Sequence, residues 1–350
     1  MSDVYFTDPS TSNQNGLKAA VPIFPGGYTA LAKNYLLPTS HQWSAGIQHE
    51  LMPRAVLSAM YVGNEDSHQM DGRNINMPLL SNPDRAQVAA GKLDANRIRP
   101  YPGFASMTYF ETATSSNYNS LQVNFRVDNY KGFTFQSAYT WSHNIDYMSG
   151  DNSCCISNTY DISFDRGNSA WDRRHVFIMN YIYELPFLKN NSSAVVRQAF
   201  GGWQLSGITT FETGEPVTVS YPGDNAGMGG GEGTRPDLIG NPNTGPKNAT
   251  MWFNTAAFAV PASLSFGTEG RNVVFGPGRN NWNISLSKAF RIPMGTGREG
   301  GQVQFRGEFF NTFNHTQFNG VNTSYGGGGF GAPSGVWDPR IIQFGLKLTF

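Results

Sequence analysis

The sequence of 350 residues predicts an all-β protein, an antiparallel transmembrane β-barrel wall with long outer loops and short periplasmic turns. Three observations lead there. Apolar and polar residues alternate with period two over stretches longer than ordinary soluble strands. The connections between those stretches are alternately short and long. Composition agrees: 14% of residues are charged, 13% are aromatic and 40 are glycine, whereas an ordinary soluble domain carries about 25% charge.

The elements follow from period two, which places alternate side chains on opposite faces of a strand. In 340–350, Ile342, Phe344, Leu346, Leu348 and Phe350 share one face, and Gln343, Gly345, Lys347 and Thr349 the other. In 302–313, Val303, Phe305, Gly307 and Phe309 oppose Gln302, Gln304, Arg306 and Glu308. In 118–129, Leu121, Val123, Phe125 and Val127 oppose Gln122, Asn124, Arg126 and Asp128. In 132–143, Phe133, Phe135, Tyr139 and Trp141 oppose Thr134, Gln136 and Thr140. In 202–220, Trp203, Leu205, Thr209 and Phe211 oppose Gln204, Ser206 and Thr210. In 281–291, Trp282, Ile284, Leu286 and Phe290 oppose Asn283, Ser285 and Ser287. The stretch 171–185 is less clean, with apolar residues on both faces, and 40–51 and 55–63 flank a short turn at 52–54. Most of these stretches run about 10 to 14 residues, against about 5–6 in soluble sheets and roughly 9–11 for a tilted membrane crossing. Tyr118, Trp141, Trp171, Trp203 and Trp282 lie near strand ends, where an interfacial girdle places aromatics.

Loop lengths assign direction. Short or medium turns lie at 52–54, 129–132, 186–202 and 293–301, and long excursions at 64–116, 144–170, 221–281 and 314–339. With the C-terminus at the periplasmic side, every short turn falls below the membrane and every long loop above it, as outer-membrane barrels arrange them. Residues 104–113 also alternate, yet parity forbids them as a separate crossing, so they are expected in an outer-loop hairpin. The count is nine crossings, with the chain entering from outside. Single-chain bacterial barrels have even counts. Residues 1–9 carry neither the positive nor the apolar region of a secretion signal, which taken alone would leave the chain in the cytoplasm. The odd count, outer start and missing signal together point to the C-terminal part of a larger barrel. Its open edges are not expected to be stable alone in lipid.

Several classes are excluded or unsupported. With 25 Lys+Arg against 25 Asp+Glu, no basic excess is available for nucleic acid. No apolar run approaches the roughly 18 residues of a membrane helix. Cys154 and Cys155 are adjacent, with Cα atoms about 3.8 Å apart, under the usual disulfide range of roughly 4.4–6.8 Å. They read as loop thiols, with a strained vicinal disulfide the alternative. His41, His49, His68, His143, His175 and His315 form no metal-ligand spacing and are assigned interfacial or loop roles, so no metal or cofactor is expected. The segment Asp172, Arg173, Arg174, His175 reads as a salt-bridged strand start. The runs 227–233 and 326–331 read as flexible outer loops, without the context of a phosphate cradle. Ser206 and Ser285 have no triad partners, so no enzymatic activity is expected. Trp252, Phe253, Phe258 and Phe266 either stack on sugars or pack their loop against itself.

Nine ordered stretches carry a resemblance. They are PTSHQW with GIQ (38–48), YVGN (61–64), NYNSLQV (117–123), YTWSH (139–143), DRRH (172–175), GWQLSG (202–207), GPGRNNW (276–282), FRGEFFNTFNH (305–315) and PRIIQFGLKL (339–348). From about Leu37 onward the chain resembles the C-terminal barrel of TonB-dependent receptors of the Oar-like group. That resemblance implies a 22-stranded barrel, an internal plug and a TonB box coupling uptake of a large or scarce nutrient to the inner-membrane proton gradient. Neither plug nor TonB box is recognisable in these residues, so the chain is expected to be a barrel fragment. Residues 1–39 are then an outer-loop remnant and 40–350 a partial barrel. Phe344, Leu346, Leu348 and Phe350 resemble the signal read by the barrel-assembly machinery, and equally suit a strand facing outer-membrane lipid. Gln122, Arg126, Gln136, Gln304, Arg306 and Glu308 face the lumen on this reading, pairing across strands or contacting the plug, with a minority touching cargo. Carbohydrate, siderophore, peptide and cobalamin remain open as cargo. The competing expectation is a secreted or surface-exposed adhesive β protein, with shorter strands packed as two sheets. A self-sufficient passive pore is weakened by the odd count.

Overall fold

A computed structural model of the chain describes residues 26–150, 156–230, 233–292 and 301–349. Nine long strands form one continuous sheet: β1 (Thr39–Met52), β2 (Ala55–Asn74), β3 (Phe104–Tyr130), β4 (Phe133–Asp146), β5 (His175–Glu184), β6 (Trp203–Glu212), β7 (Arg279–Ile292), β8 (Gly301–Phe310) and β9 (Ile341–Thr349). Their order in the sheet is their order in the chain, each antiparallel to the next. The nine crossings expected from alternation are these nine strands.

Register fixes the two faces. Tyr61 lies opposite Leu121, Leu121 opposite Trp141, and Trp141 opposite His175. One residue along, Met60, Gln122, Thr140, Val176, Glu212 and Arg279 form the neighbouring row on the other face. A one-residue slip would exchange the two sets, so the alternation specifies the pairing. No second sheet covers the apolar face among the described residues: Phe344 is 69% exposed and Leu346 76%. This departs from a two-sheet sandwich, which would bury that face. Three glycines on the apolar face lie under aromatic rings of the next strand: Gly63 under Trp43, Gly207 under Tyr181 and Gly307 under Phe344.

The turns are built for reversal. Arg54 (φ 72°) closes β1–β2, and Lys131 (φ 52°) with Gly132 (φ 80°) closes β3–β4. The Arg54 Nη1 donates to the Asn129 carbonyl at 3.0 Å, tying these two turns together.

Three boundaries differ from expectation. β3 starts at Phe104 rather than 118: residues 104–113, expected in an outer-loop hairpin and not as a separate crossing, continue it as a strand of 27 residues whose upper part pairs with the upper part of β2. The hairpin does rise above the wall, bending at register shifts between Asp66, Gln69 and Asp71. The short strand Gly26–Leu31 runs parallel beside it. β5 starts at His175 rather than 171, because Asp172 turns its carboxylate onto the Asn144 amide (2.8 Å) in place of a ladder bond. β6 stops at Glu212 rather than 220, two residues before Gly214, which is packed on the Gly276 carbonyl, and four before Pro216, which offers no N–H. The turn at 293–300, Phe350 and the Cys154–Cys155 pair lie outside the described residues.

Candidate functional site at the outer end of the wall

The buried apolar core lies in the outer loops, not between strands. One cluster joins Val219, Phe253, Ala257, Phe258 and Val274, and a second joins Met77, Ala226, Met228 and Phe266. Wall strands have lipid to cover their apolar face, while loops standing in water must bury theirs against one another. The aromatic loop residues therefore take the packing alternative. Phe253 and Phe258 meet edge to face at 5.8 Å, and Trp252 donates its indole N–H to the Phe275 carbonyl at 3.0 Å. The runs 227–233 and 326–331, expected as flexible, are hydrogen-bonded turns where described. The Gly227 amide donates to Asp224 O, and the Gly331 amide to Asn322 O.

Three arginines staple separate loops into this cap. Arg85 donates to the carbonyls of Ala226 (2.6 Å), Leu264 (2.7 Å) and Leu80 (2.8 Å). Arg235 forms a buried ion pair with Asp165, lies 4.1 Å from the Phe164 ring centre and donates to the Phe164 carbonyl at 2.7 Å. Arg271 pairs with Asp146 at 2.5 Å and donates to Ser149 Oγ at 2.6 Å. Beside them Glu269 is 1% exposed. Its Oε1 accepts the Val219 amide at 2.9 Å, and its Oε2 has no hydrogen-bond partner. Burial pushes its carboxyl up to about 8, against the lowering effects of the Val219 hydrogen bond and Arg235. Burial also lowers the Arg235 guanidinium, opposed by Asp165.

Under the cap, at the top of the polar face, a recess of about 200 Å³ is lined by Arg173, Glu212, Glu215, Arg279, Asn319 and Trp337, among others. Arg173 is ion-paired with Glu215. Arg279 lies opposite Glu212 in register and 4.9 Å from the Trp337 ring centre, with no hydrogen-bond partner on its Nε. An aromatic floor, a spare guanidinium donor and two carboxylates suit a ligand bearing hydroxyl or carboxylate oxygens. A second recess of about 440 Å³ lies between β2, β3 and the 144–150 loop, lined by Asp66, Gln69, Ser116, Asn144, Asp146 and Trp171, among others. Among the described residues no group of three or more His, Cys, Asp or Glu is placed to hold a metal ion.

The residues singled out from sequence fall in two places. Arg126 and Gln136 are register partners on β3 and β4, but the ion pair of Arg126 is along its own strand, with Asp128 at 2.8 Å. Arg306 and Glu308 lie on β8, paired at 3.4 Å, and Gln343 donates across the strands to Glu308. Three strands separate the two groups, so no single site unites them. Gln122 bonds along its strand to Ser120 at 3.3 Å. The 172–175 segment is a salt-bridged strand start, with Arg174 on Asp172 at 3.2 Å and His175 Nδ1 2.8 Å from the Tyr139 hydroxyl. Phe344, Leu346 and Leu348 share the uncovered apolar face of β9. Sequence reasoning missed Arg279 and the stapling arginines. It also missed Ile178, Ile182 and Ile208, which stand 38%, 43% and 53% exposed on the polar face.

A single sheet of long strands with a bare apolar face and a packed cap at one end defines a membrane-spanning β wall. The family described as "Outer membrane beta barrel domain" matches over residues 2–343, and the chain belongs to it; its place is the outer membrane. Similar solved structures include the outer membrane transporter YddB from Escherichia coli, at 11% identity and TM-score 0.48, covering 93% of this chain and 34% of that one. Another is P. aeruginosa FpvA in a pyoverdine–iron complex, at 10% identity and TM-score 0.41, covering 87% of this chain and 26% of that one. The chain thus spans about a third or less of the length of these structures. No curated protein matches the sequence.

Proposed function

We propose that the chain is the C-terminal part of the wall of a TonB-dependent receptor that imports a nutrient across the outer membrane. Residues 1–39 are a remnant of an outer loop and 40–350 a partial barrel. The observation that carries the reading is that β1 and β9, the ends of the sheet, have no strand partner on their outer edges among the described residues. Unpaired N–H and C=O groups are costly in hydrocarbon, so further strands must close the wall. The exposed isoleucines Ile178, Ile182 and Ile208 on the otherwise polar face support an occupant of the lumen, the role of a plug. On this reading the wall contacts lipid, is assembled by the barrel-assembly machinery, and is energised by the TonB system through the plug. Its role is non-catalytic, and the outer recess at Arg173, Arg279 and Trp337 receives oxygen-rich cargo.

Sequencing the DNA upstream of the Met1 codon tests this. An open frame continuing into further strands, a plug and a TonB box is the expected result. A stop codon and promoter directly before Met1 would contradict the receptor reading.

A further inference from the structure

The periplasmic connection between β5 and β6 carries a short helix, Ala194–Phe200, that the barrel wall does not require as a turn. At 100° per residue, Val195, Val196, Ala199 and Phe200 fall in one arc, and Arg197 and Gln198 in the opposite one. Val195 is 77% exposed, Phe200 63% and Phe187, in the same connection, 67%. Side chains of the lipid face hold the helix. Trp203 donates its indole N–H to the Ala199 carbonyl at 3.3 Å, and Lys288 donates to the Gly201 carbonyl. Lys288 shares its face with Leu286 and Phe290, and its ammonium lies 5.2 Å from the Phe290 ring centre and 5.7 Å from that of Trp203. The helix is therefore fastened to the outside of the wall, at its periplasmic end, rather than beneath the lumen.

We propose that this helix lies in the periplasmic leaflet of the outer membrane as an interfacial anchor. Val195, Phe187 and Phe200 enter the acyl boundary, while Arg197 stays among the phospholipid headgroups. The apolar patch is continuous with the lipid-facing band of β6 and β7, so the partner covering it is the lipid that already covers that band. An amphipathic helix in the interface plane buries its apolar face roughly 5–10 Å below the headgroups. Lys288 supports the arrangement: on a lipid-facing strand its charge is led to the interface and capped by the helix C-terminus. The inference rests on the outer-membrane placement and is independent of the uptake reading.

The test is spin labelling of the complete barrel that contains these residues, in outer membranes isolated from expressing cells, with its cysteines, Cys154 and Cys155 among them, replaced by serine. Labels are placed through Val195→Cys, Phe200→Cys, Gln198→Cys and, as a control in the wall, Leu121→Cys. Collisions with oxygen, which partitions into lipid, are compared with those of a water-soluble nickel chelate. The expected result is oxygen-dominated relaxation at 121, 195 and 200, with nickel dominating at 198. Oxygen dominance at 121 with nickel dominance at 195 and 200 would overturn the anchor and leave the wall in lipid. Nickel dominance at 121 as well would overturn both the wall's placement and the anchor.

Discussion

Gly207 sits where β5, β6 and β7 meet, and a Cβ there would lie 2.5 Å from the Tyr181 hydroxyl and 2.8 Å from the Asn283 carbonyl. The Tyr181 ring covers the glycine and shields backbone that would otherwise meet lipid, a role aromatics play beside strand glycines. Gly207→Ala forces the ring or the ladder to move, and overpacking of this kind costs about 1–3 kcal/mol. A lowered urea midpoint for the folded, heat-modifiable band on gels is the expected outcome. Neighbouring positions on β9 offer the complementary test. Leu346→Arg places a charge on the lipid face, where such substitutions cost up to about 2–4 kcal/mol at mid-bilayer, whereas Lys347→Gln alters the lumen face. Outer-membrane yield is expected to fall for the first and hold for the second. At this scale the sequence was legible wherever a face was uniform. Ile178 and Ile182 were hidden because apolar residues on both faces of β5 erase the alternation that assigns faces, and Ile208 because it stands as an isolated apolar residue on the polar face of β6.

The outer cap behaves as an element with its own physics. Its charges are buried: Arg235 and Asp165 are each 5% exposed. Removing one partner leaves the other charge uncompensated, so Arg235→Ala is expected to destabilise the cap by about 3–5 kcal/mol. Faster hydrogen exchange in 213–278, with the wall strands unchanged, checks this. Glu269 gives a pH dependence. Its carboxyl is raised from 4.5 to about 8 in the fold, so the folded cap binds the proton more tightly than the unfolded one. Cap stability is then greatest below about pH 4.5 and falls as pH rises from there to about 8, a change on the order of 5 kcal/mol from this group. Protection of the Val219 amide, which donates to Glu269, is expected to decline across that window, and Glu269→Gln to flatten the decline. The cap was not legible in the sequence. Arg235 and its partner are 70 residues apart and Arg271 and Asp146 are 125 apart, and no periodicity links such positions. The loop aromatics were recognised, but their choice between ligand and core depends on that long-range folding.

For the whole molecule, the account depends on an apolar face in lipid and a polar face toward a water-filled or plugged lumen. The nine strands, their order and their direction were legible, because period two and alternating loop length are local signals that tertiary packing does not override here. The upper arms of β2 and β3 were less so: their bulges break the period, and they pair above the membrane, where neither face is constrained by lipid. The most direct measurement is a cysteine scan of 341–349 in outer membranes, read by a membrane-impermeant maleimide, with Cys154 and Cys155 replaced by serine. The account predicts labelling at 343, 345 and 347 and protection at 342, 344, 346 and 348. Uniform labelling along the strand, or the inverse alternation, would contradict a lipid-facing wall.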